Sequence, residues 1–262
     1  QAIVLLLFFA AALRAQPLLS PDDERFFEQQ ARRIVDSAAL KAGEAKGKWR
    51  NTTPYDVHVP GGNMGYPAFW VRDAVMMLGG DFVGARELEG WIRLIASTIP
   101  GPRDWVVRPG VVVPAYAVPD HVNFNGKATF YPGNLETGEK QGGKPWGKYP
   151  PLDDHFYFLT AVYHHGKLTR GTALFDSHVK TSFREMPMAD LCERVYRVAP
   201  SDPETALVTA GDVQTENAKD FGFCDTVGKS GKLLFPSVLK YLAARQMAEL
   251  FEASGRPAKA RR

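Results

Sequence analysis

Apolar residues are distributed along this chain in three ways. From Ile3 to Leu13 they form an unbroken run; beyond Ser20 they recur mostly at helical spacing between polar connectors; and from Arg103 to Gln141 they break into short Val-rich pieces. The first run is too short to span a bilayer. With Ala15 behind it, it reads as a secretory signal peptide over residues 1–15, its charged start missing because the chain begins at Gln1. A buried core helix is the competing reading, against which Pro17 and the polar Ser20 to Glu24 follow at once. No later segment approaches transmembrane length.

Ser20-Pro21-Asp22-Asp23-Glu24 starts a helix, with a hydroxyl cap, proline at the first position and acids where the helix dipole favours them. That helix is expected to run to about Gly43, and a connector rich in Lys, Gly, Asn and Pro follows to Pro67. The connector holds Asn51-Thr52-Thr53, a glycosylation acceptor in a eukaryotic host. Helices are predicted from Phe69 to Leu78 and from Arg86 to Thr98, joined by a short Gly79–Gly84 link that makes an antiparallel pair. The stretch from Arg103 to Gln141, punctuated by Pro109, Gly110, Pro114 and Pro119, is predicted to be a long irregular loop with short strands, of the kind that is usually functional. A second helical hairpin follows over Asp153–His165 and Thr172–Glu185. Met188–Val198 is a short helix or extended piece, and a polar stretch runs to Ser230. From Pro236, Leu239, Leu242, Ala243, Met247 and Leu250 share one helix face, ending before Gly255. Pro257 opens a further helix, so the sequence is expected to stop where a domain would continue.

Composition narrows the class. Residues 16–262 suffice for one large domain or two small ones, and 45% hydrophobic residues supply a substantial core. A net charge of +3, with Lys259, Arg261 and Arg262 at the very end, is not the footprint of a nucleic-acid binder. Cys192 and Cys224 allow one bridge or two buried thiols. His164-His165 point in different directions on a helix and make a poor metal pair. No spacing demands a metal, and there is no phosphate loop or nucleophile elbow, so no metal or cofactor is expected.

The chemistry concentrates in Gly65-Tyr66-Pro67-Ala68-Phe69-Trp70-Val71-Arg72-Asp73, which puts aromatic faces, a guanidinium and a carboxylate at the mouth of a helix. Pyranose rings stack their C–H faces on aromatics, and their vicinal hydroxyls match a carboxylate acceptor and a forked Arg donor. An Arg–Asp pair capping a helix, with Trp70 in the core, is the plainer alternative. Phe69-Trp70-Val71-Arg72-Asp73-Ala74 resembles the aromatic-Trp-x-Arg-Asp segment of glucoamylase-like six-hairpin glycosidases. The resemblance implies an all-α fold, here a partial (α/α)6 toroid over residues 16–262. It also implies that Arg72 and Asp73 hold sugar hydroxyls where the bond is cut.

Asp220-Phe221-Gly222-Phe223-Cys224-Asp225-Thr226-Val227 is similar to that family's acidic turn before a hairpin helix, although the family often has Trp and Glu where this chain has Phe223 and Asp225. Asp225 is the candidate general acid, because Phe221 and Phe223 would desolvate it and raise its pKa. Glu216 is its competitor. In that family the general base comes from a later hairpin, which implies that this segment alone is inactive. Asp153 and Asp154, with His155 and Tyr157, are candidate lining residues at a second helix start; two acids at a helix N-terminus are the ordinary alternative. Trp105, Tyr116, His121, Asn123 and Trp146 add sugar-facing groups from the loop. The expected function is hydrolysis of an oligo- or polysaccharide outside the cytoplasm, in the periplasm or after secretion. The same resemblance also admits a lyase, with a Tyr or His base, or a phosphorylase. A non-catalytic glycan-binding protein is the third reading.

Overall fold

The computed structural model describes residues 18–60, 66–80, 82–131, 149–210, 222 and 228–261. The apolar run at the N-terminus, Trp146, Glu216, Cys224 and Asp225 lie outside these residues.

Helix α1 (Pro21–Ala38) opens with a complete capping box: the Ser20 hydroxyl accepts from the Asp23 amide and the Asp23 carboxylate accepts from the Ser20 amide. Only Ala38 of this helix is buried. It stops five residues before Gly43 because Leu40 gains full burial in strand β1 (Ala39–Leu40). A tight hairpin of β2 (Ala45–Lys46) and β3 (Trp49–Arg50) leads to β4 (Val57–His58), which pairs antiparallel with β1. Asn51 organises this connector. It is fully buried and its amide donates to the carbonyls of Leu40, Lys41 and Tyr55 at 3.2, 3.2 and 2.8 Å, while its own oxygen accepts from the Thr53 amide and hydroxyl. The folded chain therefore does not present Asn51 for glycosylation.

Strand β5 (Ala68–Trp70) runs without a break into helix α2 (Val71–Met76), which tightens into a 3-10 turn over Met77–Gly80. Helix α3 (Ala85–Thr98) buries Leu88, Trp91, Ile92 and Ile95 on one stripe. Strands β6 (Trp105–Arg108) and β7 (Val111–Val113) form a hairpin about Pro109-Gly110, where Gly110 takes φ +78°, a left-handed value that suits glycine after proline in a turn. Strand β8 (His121–Asn123) is central to a three-stranded sheet, between β5 and β9 (Ala128–Thr129).

Helix α4 (Asp154–Thr169) forms the core of the molecule. It packs against α2 and α3, and nearly all of its first half is buried, which is why its apolar residues show little one-sidedness. It continues through Gly166 to a left-handed Arg170 at φ 52°, and the Gly171 amide returns to the Gly166 carbonyl at 3.1 Å. Helix α5 (Ala173–Asp176) is a single turn. The expected helix to Glu185 is instead the hairpin of β10 (His178–Lys180) and β11 (Glu185–Pro187). Thr181 closes it, its amide donating to the Arg184 carbonyl at 2.8 Å and its hydroxyl accepting from the Arg184 amide at 3.2 Å. Helix α6 (Met188–Tyr196) buries Cys192, a free thiol whose pKa is raised by desolvation. Helix α7 (Leu234–Ala253) packs along α4, and α8 (Pro257–Ala260) folds back on it.

The expectation of an all-α toroid is overturned. Among the described residues 47% are helical and 16% are in several small antiparallel sheets, a mixed α/β architecture. Short Val-rich or aromatic runs bounded by Pro and Gly have too few residues for stable helices and satisfy their backbone groups by pairing instead. Among the described residues no helix is long and apolar enough to cross a membrane.

Candidate functional site

The site is assembled where β5 becomes α2 and meets the start of α4. In the β5–β8 ladder Trp70 lies opposite His121, so both side chains project from the same face. Their rings stack with centroids 4.3 Å apart and an interplanar angle of 29°. Tyr66 meets Trp70 edge-on at 5.9 Å and is 59% exposed, the most open aromatic of the group. The backbone joins the two strands again at the start of α2, where the Val71 amide donates to the Asp120 carbonyl at 3.1 Å. Asp120 is buried, and its carboxylate takes the Nδ1 of His121 at 2.8 Å.

One residue further along, Arg72 reaches across to α4. Its Nε and Nη2 donate to the two carboxylate oxygens of Asp153 at 2.8 and 2.9 Å, a bidentate fork, and Asp154 lies 3.7 Å from Nη2. Arg72 keeps 12% of its side chain exposed, whereas Asp153 keeps 2% and Asp154 1%. Burial alone would weaken the guanidinium's charge. The carboxylates of Asp154 and Asp153 outweigh it and carry the arginine pKa above its ordinary range.

Asp73 turns the other way and is exposed. Desolvation by surrounding protein raises its pKa, Asp120 adds to the rise, and Arg72 opposes it. Tyr157, one helical turn after Asp153, is buried, and its phenol is pushed up to about 12, first by desolvation and then by the negative Asp153, with Arg72 pulling the other way. Desolvation also pushes His155 down to about 4, against the pull of Asp153. Neither nitrogen of His155, which is wholly buried, has a partner among the described residues, and the same holds for the buried Nε1 of Trp70.

Of the residues expected from sequence, Arg72, Asp153 and Asp154 form one cluster, with Trp70 and Tyr66 in contact beside it and Asp73 in its electrostatic reach. Asp153 and Asp154 are buried, so they reach a ligand only through the arginine that they hold. Asp225 and Glu216 lie outside the described residues. Among the loop groups, His121 joins the cluster and Trp105 stands 54% exposed on β6. Tyr116 is buried beneath Arg194, and Asn123 spends its amide on Lys127 and Thr129 within its own turn. Asp120 was not anticipated; its adjacency to His121 after Pro119 was the available signal. Among the described residues no group of three or more His, Cys, Asp or Glu is arranged to hold a metal ion.

Chemically, the cluster carries four carboxylates, Asp73, Asp120, Asp153 and Asp154, around one guanidinium. Two of the five arginine donors are committed to Asp153. Of these carboxylates only Asp73 is exposed, so the site combines one open acceptor with a guanidinium fixed from beneath and an aromatic flank. No protein-family model matches the chain, and no curated protein matches it.

Proposed function

We propose that this chain belongs to an exported glycoside hydrolase that grips a neutral sugar through Tyr66, Trp70, Arg72 and Asp73 and protonates the leaving oxygen with Asp225. The observation that supports the sugar subsite is the bidentate Arg72–Asp153 fork. It links two segments 81 residues apart and leaves Asp73 exposed beside an aromatic flank. Asp73 accepts from sugar hydroxyls, the uncommitted Arg72 hydrogens donate to ring substituents, and Tyr66 and Trp70 cover the apolar face of the ring. Asp153 and Asp154 act by fixing Arg72. Asp225, flanked by Phe221 and Phe223, holds its proton until the glycosidic oxygen departs, while a second carboxylate activates water on the opposite face.

Elimination across a uronic acid suits this site poorly. Four carboxylates against one guanidinium repel an acidic sugar, and a phenol raised to about 12 leaves Tyr157 protonated at neutral pH. A glycan-binding protein without catalysis remains the reading to separate by experiment. In the full-length protein, Asp225→Asn is expected to lower hydrolysis of oligosaccharides, whose departing alkoxide needs the proton, by at least about 100-fold while sugar binding persists. Unchanged turnover would remove Asp225 as the acid, and hydrolysis absent from wild type with binding intact would favour the non-catalytic reading.

A further inference from the structure

We infer that His121 is a specificity-determining contact of this site: Asp120 and Trp70 fix its ring so that Nε2 accepts a hydrogen bond from a ligand hydroxyl beside Asp73. The inference rests on the sugar-binding reading above and adds a residue and a direction of hydrogen bonding to it.

Three observations carry it. The Asp120 carboxylate, itself buried, lies 2.8 Å from Nδ1 and accepts only, so Nδ1 is the donor of that contact and, in the uncharged form of the ring, Nε2 carries the lone pair. Stacking on Trp70 at 4.3 Å and the cross-strand pairing of Trp70 with His121 remove the ring's freedom to turn away. Nε2 has no partner among the described residues, and 12% of the side chain remains exposed. An imidazole held by a carboxylate on one nitrogen and left open on the other, against an aromatic wall, is built to address something outside the protein. The Val71 amide donates to the Asp120 carbonyl at 3.1 Å, two residues before the exposed Asp73, so the segment that carries His121 meets the start of the helix that carries Asp73. Two acceptors presented from these adjoining elements match two hydroxyls of one ring, both donating.

The probes are the methyl pyranosides of glucose, galactose and mannose, followed by long-range 15N–1H spectra of the histidine rings and by calorimetry on the full chain. The ligand-free protein is expected to show His121 with hydrogen on Nδ1, and the Nε2 resonance is expected to move saturably with at least one glycoside. His121→Phe keeps a ring for Trp70 to stack on but lacks the acceptor, and is expected to weaken binding at least about tenfold. His121→Gln, which restores an acceptor near the Nε2 position, is expected to recover most of that loss. Asp120→Asn inverts the tautomer and is expected to weaken binding like His121→Phe. If His121→Phe binds as tightly as wild type while Asp73→Ala does not bind, the sugar site stands and the role of His121 is overturned. If no glycoside binds wild type or moves the Trp70 resonances, the sugar reading itself fails, and this inference with it.

Discussion

Removing Asp153 tests whether the fork at the centre of the site holds the molecule together as well as the ligand. Asp153→Ala leaves the Arg72 guanidinium, only 12% exposed, without its bidentate partner. Breaking a buried pair from one side costs about 3–5 kcal/mol, because the remaining charge stays desolvated. Asp154 stands 3.7 Å from Nη2 and takes over part of the load, which places the expected loss near the lower end, at about 3 kcal/mol. That is a large share of a total stability of about 5–15 kcal/mol. Urea unfolding would register it as a lower midpoint at an unchanged slope. The triple variant Arg72→Met, Asp153→Leu and Asp154→Asn removes all three charges and is expected to recover most of that stability while losing the proposed sugar binding, since neutral residues of similar size commonly replace buried charged groups without loss. A loss below about 1 kcal/mol for Asp153→Ala would mean that the pair behaves as a solvated surface bridge. A triple variant as unstable as the single would refute the desolvation argument.

Further outcomes are expected elsewhere in the fold. Asn51→Asp replaces an amide that donates to three carbonyls with a carboxylate that repels them, and should cost about 3–5 kcal/mol in chemical unfolding; a loss under about 1 kcal/mol would show that the connector does not depend on that amide. His155 is neutral in the folded protein down to about pH 4, whereas in the unfolded chain it takes a proton near 6.5, so its contribution to stability is present above 6.5 and falls as pH drops towards 4, by up to about 3 kcal/mol. His155→Leu should flatten that part of the stability-versus-pH curve and raise stability at pH 5, and an unchanged slope would count against the buried, unpaired imidazole. Gly166→Ala puts a methyl 3.1 Å from Leu250 Cδ2 and 3.3 Å from the Gly171 carbonyl, and should lower the thermal midpoint by several degrees; a higher midpoint would mean that α4 and α7 are not in close contact there.

How far the sequence could be read depended on how local the deciding interactions are. The start of α1 follows from Ser20 and Asp23 alone, and the stripe of α3 comes from residues a few positions apart, so these two helices are legible in the sequence, whereas Met188–Val198 reads equally as a short helix or an extended piece and only the structure makes it α6. Phe69-Trp70 reads as the start of a helix because these residues adjoin one; their strand character comes from β8, more than 50 residues downstream. The Thr172–Glu185 helix failed for a related reason, since Thr181 and Arg184 close a turn that period alone does not reveal. The all-α expectation came from the family resemblance, and both of these helix readings agreed with it. For the candidate site, residue types pick out two helix mouths that the structure brings together, but not the partnership of Arg72 with Asp153, which only the packing of α2 on α4 creates. Asp120 escaped because its importance comes through His121, and that ring matters only once Trp70 lies over it.

The direct passage of β5 into α2 makes the candidate site dependent on strand alignment. Trp70 is the last residue of one element and Val71 the first of the next, so no flexible joint lies between the ladder and the guanidinium two positions on. Slipping the pairing by a single residue would send Trp70 to the opposite side of the sheet and turn Arg72 by about 100° around the helix axis, out of reach of α4. One-residue insertions or deletions between Tyr66 and Trp70 would therefore silence the site from a distance, although Tyr66 itself stands in open solvent.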